Sequence, residues 1–250
     1  MIQLTNSNCT IQYGNTNRSL LDFFQDFTPT IWFADGSQLY QNRYVKLKLQ
    51  PDVVSLENIF TDDWTGVSIG KESQDITPYI QDSIQYYFID KIRNDFQIIY
   101  DDDGKGEIAD IIGINDSATA IDIHLYHLKY AKNGVVSNNI DNFYQVCGQA
   151  QKSLKWKHRA GKEFFNHLFR RKTKTLLGNS CSRIIKGTEA DLENLLDQAK
   201  YTKPMNFHIY IVQPALSKAI ASNDILLLLG NVQHYLSTVG NIELKVYSSQ

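Results

Sequence analysis

Apolar positions along this chain change period several times, and each change predicts an element. Ile80, Ile84, Tyr87, Phe88 and Ile92 recur three and four apart, which predicts an amphipathic helix opened by Thr77-Pro78 and running to about Asn94. Runs of β-branched and aromatic residues follow at 96–101, 107–114 and 120–130. The turn residues Lys105-Gly106 and the cluster 115–119 separate them, so three consecutive strands are expected. Helical spacing returns in Phe143, Val146, Cys147, Ala150 and Leu154, within a helix from Asp141 to about Trp156, and a shorter helix is expected over 162–171. Thr188 with Asp191 reads as a capping-box variant opening a helix to about Lys200. Residues 207–212 read as a buried strand, 225–236 as a buried helix and 242–247 as a last strand. The class is α/β in the α+β sense: a mixed sheet built on a helix, a three-strand meander, a helix and a strand.

The first 65 residues read differently. Clusters of β-formers at 11–13, 30–33 and 44–49 alternate with Asn/Gly/Asp turns, around one short helix at 19–27. The polar turn at 62–66 suggests a boundary, giving a β-rich segment 1–65 and a main domain 66–250. A chain of 250 residues with 42% hydrophobic and 21% charged residues can bury a core without disulfide or metal staples. The longest run of large aliphatics, 225–229, falls far short of the roughly 20 apolar residues of a membrane span. No basic, apolar leader opens the sequence, and Cys9, Cys147 and Cys181 show no metal-site spacing. A cytoplasmic protein with no membrane partner is therefore expected.

Net charge is only −2, but the charges are segregated. Residues 51–110 hold 14 acids against 4 bases, whereas 152–174 hold 9 bases against Glu163 alone. Carboxylates to hold a cation beside Lys and Arg to neutralise phosphates suit an enzyme acting on a polyanion, although two solvated faces would give the same counts. The chemistry concentrates in two of the expected strands. Asp110 stands in an otherwise apolar run, where an unpaired carboxylate needs a cation or a donor. His127 and Lys129 are two apart, so strand alternation would aim both at one face. A carboxylate, an imidazole and an ammonium on one face would suit phosphodiester hydrolysis assisted by a divalent ion.

These residues resemble the PD-(D/E)XK nuclease superfamily. Ala109-Asp110-Ile111-Ile112-Gly113-Ile114 looks like its PD strand, and His127-Leu128-Lys129 stands where (D/E)xK should stand. Further blocks look like the nuclease-type module at the end of some prokaryotic defence-associated helicases: Lys71-Glu72-Ser73-Gln74, Ser83-Ile84-Gln85, the acidic stretch from Asp101 through Gly104-Lys105-Gly106-Glu107 to Asp110, and Tyr144 through Gln149 to Ser153. The resemblance implies a metal-dependent endonuclease, acting on DNA, in an anti-phage or restriction-type defence system. It implies Asp110, Lys129, His127 and Glu107 as catalytic residues. Asp110, Glu107, Leu128 and Asp103 would be ligands of Mg²⁺ or Mn²⁺. Lys152, Lys155, Arg159 and Gln149 would face the nucleic acid. A homo-oligomer is compatible with it. Because no GxxxxGK[ST] loop is present, any translocation would require a separate helicase or ATPase subunit.

One departure leaves three explanations open. His127 replaces the acid of (D/E)xK. Glu107, or one of Asp101 to Asp103, supplies the missing carboxylate; or His127 binds the ion, which favours Mn²⁺; or the site is degenerate, and the chain is a non-catalytic nucleic-acid-binding or assembly module. Simpler roles stand beside these: Asp110 paired with Lys129, His127 as a core histidine, 101–104 as a mere hairpin turn, and Trp156 and Phe164 as core aromatics rather than base-stacking platforms.

Overall fold

The computed structural model describes residues 9–33, 37–40, 43–45 and 53–250, which fall into two compact units, Met1–Gln50 and Pro51–Gln250. In the first, β1 (Thr10–Tyr13) and β2 (Thr16–Ser19) form a hairpin. Helix α1 (Leu20–Asp26) follows, capped by the Ser19 hydroxyl, which accepts from the Asp22 N–H. Strands β3 (Thr30–Trp32), β4 (Gln38–Tyr40) and β5 (Arg43–Val45) make an antiparallel sheet. Residues 46–49 of the strand expected at 44–49 lie outside the described residues. The unit boundary falls earlier than the turn at 62–66, because β6 (Ile59–Thr61) already belongs to the main sheet and Val54 to its core.

The second unit is a seven-stranded mixed sheet in the order β12-β7-β8-β9-β13-β14-β6. Its elements are α2 (Ile84–Ile92), β7 (Ile98–Asp101), β8 (Ile111–Asp116), β9 (Ile121–Leu128), α3 (Asp141–Ser153), α4 (Gly161–Arg170), β10 (Thr173–Leu176), β11 (Asn179–Ser182), β12 (Ile184–Lys186), α5 (Glu189–Tyr201), β13 (Met205–Ser217), α6 (Asn223–Gly240) and β14 (Leu244–Ser249). Strands β12, β7, β8 and β9 pair antiparallel, and β9, β13, β14 and β6 pair parallel. The predicted order of helix, meander, helix and strand is present, and the fold is mixed α/β. Strand alternation divides the side chains between two layers. Ile112, Ile114, Ile123, Leu125, Ile209 and Ile211 pack with α3, α4, α5 and α6, while Ile99, Ile111, Tyr126, Leu128, Tyr210 and Val212 pack with α2. None of the described helices is long and apolar enough to cross a membrane.

Several boundaries differ from the pattern. Helix α2 starts at Ile84, not at Thr77-Pro78, because the intervening donors go elsewhere: the Ile80 N–H bonds Gln74 O, and Ser83 caps the helix by accepting from the Tyr86 N–H. Helix α3 stops at Ser153 and a 3₁₀ segment, Leu154–His158, follows. Lys152, Lys155 and Arg159 therefore do not share one α-helical face, although Lys152 and Arg159 lie near enough to lower the Lys155 pKa in addition to its burial. Trp156 and Phe164 are buried in the core and offer no stacking platform. The hairpin of β10 and β11 was not expected from the pattern and joins neither the main sheet nor either core.

Candidate metal centre

Between β7 and β8 the chain makes a loop whose conformation follows from its sequence. Gly104 and Gly106 take φ values of +112° and +89°, accessible at little cost only to glycine, and the Glu107 N–H closes the turn on Gly104 O at 3.0 Å. Acidic side chains cap the loop's own donors. Asp101 accepts from the Asp103 N–H at 3.1 Å, Asp102 from the Ile108 N–H at 2.7 Å, and Glu107 Oε2 from the Gly104 N–H at 2.7 Å. Residues 107–110 are thus loop, not strand, and Asp110 stands immediately before β8. The regular ladder pairs Ile111 with Tyr126, yet the Asp110 N–H also turns to Tyr126 O, so the register slips where Asp110 leaves the sheet.

That loop brings Asp103, Glu107 and Asp110 together, with one carboxylate oxygen of each within 4.8 Å of the others. Oxygens on opposite sides of an ion held at about 2.1 Å are about 4.2 Å apart, so the three fit a hard divalent cation after small side-chain shifts. Asp110 is buried at 3% exposure, its Oδ2 accepts from the Leu128 N–H at 2.8 Å, and among the described residues it forms no ion pair. Burial, then the neighbouring Glu107, push the Asp110 pKa well above the usual carboxylate range. Burial likewise raises Glu107, against the Gly104 N–H and the Gln149 amide. Burial would also raise Asp103, but Lys174 and the Ser73 hydroxyl outweigh it and hold its pKa low. Without a cation the surroundings therefore favour the neutral form of Asp110 and Glu107, and an all-oxygen set of this kind could hold a hard divalent cation that restores their charged forms.

A second tier of side chains holds this one in place. Gln149, on α3, donates to Glu107 Oε1 at 2.9 Å. Ser73 donates to Asp103 Oδ2 at 2.6 Å, and Lys174 reaches the same oxygen at 2.9 Å. Gln85, on α2, donates to Asp101 at 3.0 Å, as does Gln74. Arg171 bonds Asp102 Oδ1 at 2.5 Å and Asp102 O at 2.8 Å, while Arg183 bonds Asp101 O at 2.8 Å and Asp103 O at 2.9 Å.

Two expected members do not converge with the three carboxylates, although Glu72, the partner of Lys129, is near enough to act on Asp110. His127 and Lys129 do not share a face. His127 lies on the α3 side at 1% exposure with Nε2 3.0 Å from Ser153 Oγ; that hydroxyl donates to Ala150 O, so Nε2 carries the imidazole proton and Nδ1 is left bare and unpartnered. Burial pushes its pKa down to about 3, so it is neutral, and it is not among the converging ligands. Strand β9 ends at Leu128, and beyond it Lys129 pairs with Glu72 at 3.0 Å and lies over the Tyr130 ring. Glu72 also accepts from the Tyr130 N–H. Asp110 and Lys129 therefore do not form a simple ion pair. Leu128 meets Asp110 through its N–H.

The basic band divides by function. Arg171 and Lys174 turn inward to the acidic loop, Lys172 pairs with Glu189, and Lys157 donates to Gly240 O. Arg159 pairs with the exposed Glu163 at 3.3 Å and, with Lys155, lies over Trp156. Arg171, Lys174 and Arg183 were missed as site residues because sequence offers only their charge, not their direction. Set beside models of protein families, curated proteins and solved structures, the chain finds no match.

Proposed function

We propose that this protein is a metal-dependent nuclease of the PD-(D/E)XK kind, hydrolysing phosphodiester bonds in DNA, with Asp103, Glu107 and Asp110 as the ligands of Mg²⁺ or Mn²⁺. The observation that carries the reading is the convergence of three carboxylates, two of them with raised pKa values, on a loop whose other acids are already neutralised. It favours the first of the three explanations for His127: the missing acid comes from Glu107. A divalent ion at these oxygens would polarise the phosphate and favour deprotonation of a water molecule. In the reaction a water oxygen forms the new bond to phosphorus, the bond to the leaving ester oxygen breaks, and that oxygen takes up a proton. The chain's own residues fix the ligands: Gln149 and the Gly104 N–H orient Glu107, Ser73 orients Asp103, and the Leu128 N–H orients Asp110. A role in a restriction-type defence system rests on the sequence resemblance alone.

The rival reading, a non-catalytic nucleic-acid-binding module, draws on one observation: the expected catalytic lysine, Lys129, is held by Glu72. Cleavage of duplex and single-stranded DNA in Mg²⁺ or Mn²⁺ separates the two. Activity is expected in the parent and absent from Asp110→Ala. Glu107→Gln is expected to weaken Mn²⁺ binding by calorimetry, whereas a loss confined to His127→Ala would return the ligand role to the imidazole. Cleavage that survives Asp110→Ala in a folded protein rules the nuclease assignment out.

A further inference from the structure

The ammonium group at the candidate metal centre comes from Lys174, outside the strand that carries the motif lysine. Its Nζ lies 2.9 Å from Asp103 Oδ2 and 3.2 Å from Asp101 Oδ2, with the side chain 12% exposed. Lys129, by contrast, is spent on Glu72. We propose that Lys174 contacts a phosphate oxygen of the nucleic acid engaged at Asp103, Glu107 and Asp110, and that Lys129 is a structural cation. This inference rests on the phosphodiester reading of that cluster and assigns its phosphate-binding group.

Three features support it beyond the distances. Lys174 is delivered by a hairpin that contributes nothing to either core: of residues 173–182 only Lys174 and Cys181 are even partly buried. A two-stranded hairpin is marginal by itself, so its position must come from its ends. Both ends are fastened to the acidic loop. Arg171, before β10, bonds Asp102 O and Lys105 O, and Arg183, after β11, bonds Asp101 O and Asp103 O. Asp101, which also accepts from Gln74, Gln85 and the Asp103 N–H, takes Lys174 as its counter-ion through both carboxylate oxygens, at 3.2 and 3.4 Å. The same ammonium bridges to Asp103, a proposed ligand, so a phosphate oxygen engaged at that ligand would come within its reach.

A cation in this place repels a metal ion and attracts a phosphate, so its removal has effects of opposite sign on the two. The test compares the full chain with Lys174→Gln, Lys174→Arg and Lys129→Gln. Mn²⁺ affinity is measured by calorimetry, binding of a duplex oligonucleotide by anisotropy in Ca²⁺ and in EDTA, and cleavage in Mn²⁺. For Lys174→Gln we expect Mn²⁺ affinity unchanged or higher, cation-dependent DNA affinity lower by about tenfold, and cleavage lower by about a hundredfold. Lys174→Arg should recover much of both, and Lys129→Gln should lose less. Parallel loss of Mn²⁺ affinity in Lys174→Gln would reduce Lys174 to a support for Asp103 and overturn the inference, as would full cleavage by that variant. A parent that binds DNA in a cation-dependent way without cutting, and loses this binding in Lys174→Gln, would refute the nuclease reading and leave the role of Lys174 standing. Should Lys174→Gln fold poorly because Asp101 loses its counter-ion, combining it with Asp101→Asn removes both charges and yields the same comparison.

Discussion

Asp102 and Asp110 sit on one loop, are both buried, and live in opposite surroundings. Asp102 is fully enclosed, with Arg171 at 2.5 Å, His167 at 3.2 Å and the Ile108 N–H at 2.7 Å. Asp110 has one N–H, at 2.8 Å, and feels the charges of Glu107, Asp103 and Glu72. Burial alone therefore does not distinguish a structural carboxylate from a ligand; the balance of charge around it does. Asp102 holds the loop in shape, and Asp110 is left with an unmet demand for positive charge.

The largest expected effect tests the structural side of that contrast. Asp102→Ala strips Arg171 of its buried partner and is expected to cost about 3–5 kcal/mol in denaturant unfolding. Asp110→Asn should behave in the opposite way. It is expected to abolish the stabilisation conferred by Mn²⁺, with at least a hundredfold loss of affinity, roughly, while the metal-free protein gains on the order of 1 kcal/mol because a desolvated charge is gone. If Asp110→Asn destabilises as Asp102→Ala does, the two residues belong to one class and the contrast collapses.

Acid titration sharpens the same distinction with a neighbouring group. The unfolded His127 imidazole takes a proton below about 6.5, whereas the folded one does so only near 3, so its contribution is present above the first value and lost as pH falls toward the second. Between pH 6.5 and 5 this group should remove about 2 kcal/mol of stability, and His127→Gln should flatten that part of the profile. The raised carboxyls of Asp110 and Glu107 act in the other direction, taking up protons in the folded state first. A profile unaltered by His127→Gln would mean that the imidazole is hydrated.

The smallest effect per residue belongs to the exposed basic band. Replacing Lys152, Lys155 and Arg159 together with Ala should weaken DNA binding and lower the slope of log K against log[salt] by up to about 0.9 for each phosphate left unneutralised, with Mn²⁺ affinity unchanged. An unchanged slope would mean that this surface is only solvated.

The helices and strands of the main unit were legible where apolar spacing was long and regular. The stripe Phe143, Val146, Cys147, Ala150 and Leu154 is buried as its spacing requires, and Thr188 with Asp191 forms the capping box. Asp110 was legible as a candidate because a carboxylate in an apolar run is costly without a partner, whereas Glu107 and Asp103 came only through the resemblance to a nuclease motif. The parting of His127 from Lys129 was not legible, since alternation holds only while the strand lasts and β9 ends between them. Nor was the hairpin of β10 and β11, whose short polar strands bury almost nothing and so leave no periodic trace.

By itself the sequence determined the class of fold and the order of the core elements, because local spacing and turn chemistry act over a few residues. Tertiary structure decided which charge meets which. Asp102 and Arg171, Asp103 and Lys174, and Glu107 and Gln149 are separated by 69, 71 and 42 positions. Such pairings are set by how the helices and hairpin dock on the sheet, and the direction of a long charged side chain leaves no mark on the pattern of its own segment.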